Sequence, residues 1–184
     1  MNNATTATWT LENIRESTSC FSWMEEYRYE WAPLVQNAVS QSIEGKTVLI
    51  LTDESRKWFG SYILNSINAL SKNRPLLPFY QLSKSFPHFT SLRSKEELQI
   101  LEDMLDISYP NGYYIWYIGR SDHHHTKLTY RRDNSFMWIL DEELQNAFTM
   151  RSSDPLLDIK LLQLYKLFDD TLSATLFGEL DLEA

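Results

Sequence analysis

The chain has 184 residues, 43% of them hydrophobic and 23% charged, with a formal net charge of -8. That length suits one domain with a core of reasonable size, and the acidic balance argues against a protein that holds nucleic-acid phosphates by charge. One cysteine, Cys20, rules out an intramolecular disulfide, and Arg131-Arg132 is the only adjacent arginine pair. A lone cysteine fits a reducing compartment. The first residues carry no basic, apolar leader, and no uncharged apolar run reaches the ~18 residues of a membrane span. The expectation is a cytoplasmic protein without direct nucleic-acid or membrane contact. Five glycines are few for an enzyme built on phosphate loops, whereas six tryptophans suit a large core or a large interface.

In chain order, Met1 to Ala7 reads as a disordered polar leader. Cys20 to Glu44 is helical in pattern, with Met24, Tyr27, Trp31, Leu34 and Ala38 on one stripe and Val39 beside it. Pro33 predicts a kink or break, and Gly45 a C-cap. Val48 to Leu51 reads as a buried strand that enters a helix, Arg56 to Leu70, through the turn Thr52-Asp53-Glu54-Ser55. Trp58, Phe59, Tyr62, Ile63, Ile67 and Leu70 share one side of that helix.

A second strand is entered through proline in Arg74 to Leu82. Ser94 with Glu97 makes a capping box opening a helix to Leu105. Strands follow at Tyr113 to Ile118, Phe136 to Leu140 and Ala147 to Met150. Strands spaced by helices or long connections predict one α/β domain over residues 1–184. Its architecture is a doubly wound, mostly parallel sheet of about five strands with helices on both faces.

Asp154-Pro155 is a strong helix start. The helix it opens carries Leu157, Leu161, Leu164, Tyr165, Phe168, Leu172 and Phe177 on one stripe. Leu156, Ile159, Leu162 and Leu167 lie outside it, so a second cover is needed. The kinked N-terminal helix fits that need, and so does another subunit, which is the preferred reading.

In open α/β sheets a strand-to-helix turn such as 52–55 is where ligands dock, because helix-terminal N–H groups point outward there. Phosphate-binding turns carry glycine so that backbone approaches the anion. This turn has no glycine and places Asp53 and Glu54 where phosphate would sit, which reads as a vestigial ligand site. Ser55 is not a nucleophile elbow, because Asp53 and Lys57 occupy the glycine positions. Capping is the expected role of Asp53 or Ser55.

In Asp122-His123-His124-His125, consecutive side chains of an extended loop diverge. His123 and His125 can share a face that Asp122 joins, but no second ligand group is apparent. A solvated loop is expected there, with no metal. His88 reads as a loop residue, and Asp141-Glu142-Glu143 as the solvated start of a helix. No constellation supplies an enzyme mechanism, and neither catalysis nor a cofactor is expected.

Three segments nevertheless resemble a known family. Arg74-Pro-Leu-Leu-Pro, Ser55-Arg-Lys-Trp-Phe59, and the block from Ser153 to Phe168 with its Leu-Leu-Gln-Leu run are similar to the HobA family of replication-initiation regulators from Helicobacter- and Campylobacter-type bacteria. The similarity runs from about Trp23 to Glu183 and is weakest over Ser91 to Arg132. More distantly the chain resembles DiaA, through the proline motif and the helix end Leu172-Ser-Ala-Thr-Leu-Phe177. Both families have the sugar-isomerase (SIS) type of fold, which is Rossmann/flavodoxin-like.

The resemblance implies a non-catalytic homotetramer, a dimer of dimers, that binds the N-terminal domain of the initiator DnaA and promotes its assembly at the origin. It also implies that Ser55 matches a phosphate-contacting serine of phosphosugar enzymes. Their second phosphate motif, Ser-Gly-Asn-Ser, is replaced here by Gly119-Arg-Ser-Asp122. A Leu-Phe pair important for initiator binding in DiaA-like relatives maps onto Leu176 and Phe177. A phosphosugar-binding or phosphosugar-isomerase SIS protein is the alternative.

Overall fold

The computed structural model describes residues 5–17, 21–130 and 135–182. Cys20, Arg131-Arg132 and the first four residues of the expected leader lie outside them. By its internal contacts the chain divides into two compact units, Glu44–Ser152 and Met1–Ile43 with Ser153–Ala184, and each is described by itself.

The first of these units is the sheet. β1 (Thr47–Thr52), β2 (Phe79–Gln81), β3 (Tyr113–Arg120), β4 (Phe136–Leu140) and β5 (Ala147–Met150) lie in the order β2-β1-β3-β4-β5, every pair parallel. All six residues of β1 and all five of β4 are buried. A continuously buried strand of this kind belongs in the middle of a sheet covered on both sides. On one face Leu49, Leu51, Ile115, Tyr117 and Ile139 pack with Leu98, Leu101 and Leu105 of α5 (Lys95–Ser108). Leu82 of α4 (Leu82–Ser85) and Leu128 of α6 (Thr126–Thr129) extend that cluster. On the other face Phe59 of α3 (Lys57–Ile67) lies 6.0 Å from Trp138, which meets Trp116 edge-on at 5.0 Å. These three aromatic side chains are wholly buried. Each removes about 150–250 Å² from water, worth roughly 4–6 kcal/mol before ordering costs.

Several local devices hold this unit in register. Ser94 and Glu97 form the complete capping box that opens α5. The Asn68 side chain clips the backbone of Leu77 from both sides, at 2.8 and 2.9 Å, and Arg74 donates to the Ile67 carbonyl at 2.7 Å. The Arg74-Pro-Leu-Leu-Pro segment thus serves as the clasp between α3 and β2. It also shortens β2 relative to the 74–82 expectation, since Pro78 lacks a ladder donor. Leu70 lies beyond the end of α3 and is 95% exposed, and Trp58 and Tyr62 are half-exposed, so the expected single buried side is narrower than its pattern suggests.

Only residues 141–146 connect β4 to its parallel neighbour β5, where a helix would be usual. Asp141 (φ 70°) and Asn146 (φ 59°) turn the chain back, in the left-handed region that Asp and Asn tolerate best. The carboxylate of Asp141 accepts from the Ser152 N–H at 2.7 Å. Asp141-Glu142-Glu143 therefore opens no helix, contrary to expectation, because the acidic run is spent on a chain reversal.

The second unit is helical: α1 (Thr6–Glu16), α2 (Arg28–Ile43) and α7 (Leu157–Leu176) pack on one another. Thr5 caps α1 by accepting from Thr8 N–H at 3.3 Å, and Thr6 and Ala7 are already helical, so the leader expectation fails for them. α2 runs through Pro33 to Ile43, so the proline does not break it. Gly45 takes φ 83° just beyond it, as a C-cap glycine does. α7 starts two residues later than its Asp-Pro signal, because Asp154 first accepts from Leu156 N–H (2.9 Å) and pairs with Lys160 (2.6 Å). Leu167 is buried, while Leu156 and Ile159 are each 54% exposed, so the wide apolar surface of α7 is only partly covered. No described helix is long and apolar enough to cross a membrane.

Candidate functional site

Chain order and strand order diverge between β1 and β3: from β1 the chain steps outward to β2, then returns across β1 to β3. The carboxyl ends of these two strands form the crevice in which sheets of this type bind ligands. The turn 52–55 leaves β1 at that point, and Asp53 fills it.

Asp53 is 4% exposed. One carboxylate oxygen accepts from Arg56 N–H at 3.0 Å, capping the 3₁₀ turn Glu54–Arg56 that leads into α3. The other oxygen accepts from the backbone N–H of Arg120 at 3.0 Å, across the crevice at the end of β3. The Arg56 guanidinium completes the set at 3.2 Å, with both side chains nearly buried. Gly119 (φ 154°) lets the two strands close on this group: a Cβ there would stand 2.8 Å from the Asp53 carboxylate and 2.8 Å from the Tyr117 hydroxyl. That hydroxyl donates to the Arg120 carbonyl at 2.7 Å. Burial, and then the Asp53 charge, push the Tyr117 phenol well above its ordinary range, so it stays protonated.

The chemical consequence is direct. A helix-terminal N–H, a strand-end N–H and a guanidinium are the donors that an anionic ligand would take. Here the chain's own carboxylate holds all three. An incoming phosphate would have to displace the Asp53 carboxylate from these donors before it could use them. The other two turn residues face solvent: Glu54 pairs with Lys57 at 2.5 Å, and Ser55 is exposed. Capping thus falls to Asp53, as expected. Its bond to Arg120, 67 residues away, had no sequence signal beyond a glycine at the end of a strand.

The histidines depart from expectation. Residues 121–125 form a turn rather than an extended loop, so the three rings converge, with centroids 4.2 to 4.4 Å apart. His125 is 2% exposed, donates from Nδ1 to the Thr52 carbonyl at 3.0 Å, and packs on Phe89 at 4.6 Å. Burial pushes its pKa down to about 4, against the opposing pull of the Thr52 bond, so it is neutral at pH 7. Asp122 turns outward to Arg120 at 3.2 Å. His88 sits in the short 3₁₀ helix Pro87–Ser91 and is not one of the converging rings. Beside β1, an open pocket of about 350 Å³ is lined by Lys57, Ser61, Gln81, Lys84 and His125, among others.

Leu176 and Phe177 belong to the helical unit. Phe177 caps α7 and is 56% exposed, whereas Leu176 is partly buried. Gly178 (φ 73°) ends the helix in a Schellman arrangement, with Glu179 N–H to the Ala174 carbonyl at 2.8 Å and Gly178 N–H to the Thr175 carbonyl at 3.1 Å. An aromatic ring left in water at a rigid helix end is the kind of side chain that anchors protein interfaces.

With this geometry in hand, comparison with known proteins is informative. The HobA DNA replication regulator protein of Helicobacter pylori (strain ATCC 700392 / 26695) is 29% identical over 180 residues, covering 95% of this chain and 97% of its own. The crystal structure of a HobA–DnaA (domain I–II) complex from Helicobacter pylori matches with a TM-score of 0.77 at 28% identity, covering 95% of this chain and 97% of that one. The crystal structure of HobA from the same organism matches with a TM-score of 0.74 at 28% identity, covering 95% and 96%. The family model described as HobA, DNA replication regulator, matches residues 1–182. A chain matched by this model over nearly its whole length belongs to the HobA family of DNA replication regulators.

Proposed function

We propose that this single-domain chain is a non-catalytic scaffold that binds the N-terminal domain of DnaA and promotes assembly of the initiator at the origin. The observation that carries this reading is the likeness, over 95% of the chain, to a relative crystallised with DnaA domains I–II. Asp53 supports the non-catalytic part, since it takes the donors a metabolite would need. The scaffold is a homotetramer, a dimer of dimers. Identical sites held in fixed geometry give each further DnaA an effective concentration in the ~mM range for short connections, with no chemistry required. DNA contact comes through the partner, as suits a chain of net charge -8 in the cytoplasm. Phe177, with Leu176 beneath it, is the contact we assign to DnaA.

Co-purification with the isolated N-terminal domain of DnaA tests the reading. Capture at moderate salt and a light-scattering mass of about four chains are expected; a stable monomer that fails to capture DnaA overturns it. The pocket beside Lys57 and Lys84 favours a second reading, a sugar-phosphate binder. A reproducible rise in melting temperature with sugar phosphates would revive that alternative.

A further inference from the structure

We propose that His123, His124 and His125 form a binding site for a divalent transition-metal ion of the zinc type. One ring nitrogen from each of the three lies within 4.8 Å of the other two. Tetrahedral zinc at about 2.0–2.1 Å from each nitrogen needs its ligands ~3.3 Å apart. Side-chain rotations of about 1.5 Å close that difference, and His123 and His124 are the two rings that are only partly buried.

The polar surroundings of His125 carry the argument furthest. Its Nδ1–H is committed to the Thr52 carbonyl at 3.0 Å. The tautomer is thereby fixed, with the lone pair on Nε2, a buried atom that has no hydrogen-bond partner. A backbone carbonyl that orients an imidazole from behind is the usual support of a metal-bound histidine. His123 keeps its Nδ1 lone pair turned inward, where it accepts only a long 3.3 Å bond from His125 N–H, and a cation takes over that lone pair with little loss. His124 completes a set of three imidazoles, which suits zinc, copper or nickel and not calcium or magnesium. Three protein ligands leave a coordination position for water, as in accessible rather than closed structural sites. Asp122 is held away by Arg120 and Glu54 by Lys57, so the donor set is purely nitrogen. A bound ion would fasten the 121–125 turn to the end of β1 through His125.

The test uses the full chain without a histidine tag, stripped by chelation and titrated with zinc by calorimetry and with cobalt by visible absorption. One ion per chain, with Kd on the order of micromolar or tighter, and the visible bands of four-coordinate cobalt are expected. The double variant His123→Gln/His124→Gln, folded by circular dichroism, loses both signals. His124→Gln alone weakens zinc binding at least about tenfold, and His88→Gln binds like the parent. Absence of saturable binding in the parent overturns the proposal. So does binding that the His123/His124 variants leave unchanged, or that His88→Gln abolishes.

Discussion

The turn after β1 and the end of α7 make opposite use of their side chains. At the turn, a charged residue that a sequence would place in water is buried and has its partners within the chain. At the helix end, an apolar residue that looks like core stands in water, fixed by the glycine behind it. The contrast separates stability from function: a satisfied carboxylate holds the fold, whereas an unsatisfied ring is free to hold something else. Asp53 and Phe177 should therefore fail in different assays.

The largest effect is expected for Asp53→Ala, which strands the Arg56 guanidinium and two strand- and helix-end N–H groups. Removing one partner of a buried pair costs about 3–5 kcal/mol, measurable by urea denaturation, with DnaA capture retained below the transition. Phe177→Ala should do the reverse, weakening capture by at least about tenfold, or ~1.4 kcal/mol, with an unchanged melting temperature. Unchanged affinity would remove Phe177 from the contact. Gly119→Ala forces a methyl into a 2.8 Å approach to Asp53 and Tyr117, and a loss of about 1–3 kcal/mol is expected; a neutral outcome would mean the crevice is looser than described.

The pH dependence is subtler. His125 has a folded pKa of about 4, depressed from 6.5. Between those values the unfolded chain binds a proton that the native chain refuses, so the stability of metal-free protein falls as pH drops from 6.5 toward 4. His125→Asn should flatten that stretch of the curve. The smallest effect belongs to Ser55→Ala, which on an exposed turn should stay within about 0.5 kcal/mol and leave capture intact. A large loss there would restore Ser55 as a ligand residue.

How much of this was legible depended on whether the governing contact was local. β4 and β5 were readable to the residue because apolar runs bounded by turns need no distant information. The α5 capping box was readable because Ser94 and Glu97 are three residues apart. α1 escaped because its buried line is Thr6, Thr10 and Ile14, and two threonines hide a stripe that a third residue alone does not reveal. The role of Asp53 was half legible: the cap to Arg56 follows from spacing, but the bond to Arg120 requires knowing which strands are neighbours. The convergence of the histidines was hidden by one premise, extended backbone, where the chain instead makes a turn. The acidic run at Asp141 misled in the same way, since its sequence suits a helix start and a left-handed reversal equally.

Because Asp53 is covalently part of the chain it plugs, it behaves as a tethered competitor whose local concentration no metabolite in free solution can match. Any anion seeking the Arg56 and Arg120 donors would have to dislodge a rival that cannot diffuse away, so residue 53 is the position at which a change would free them.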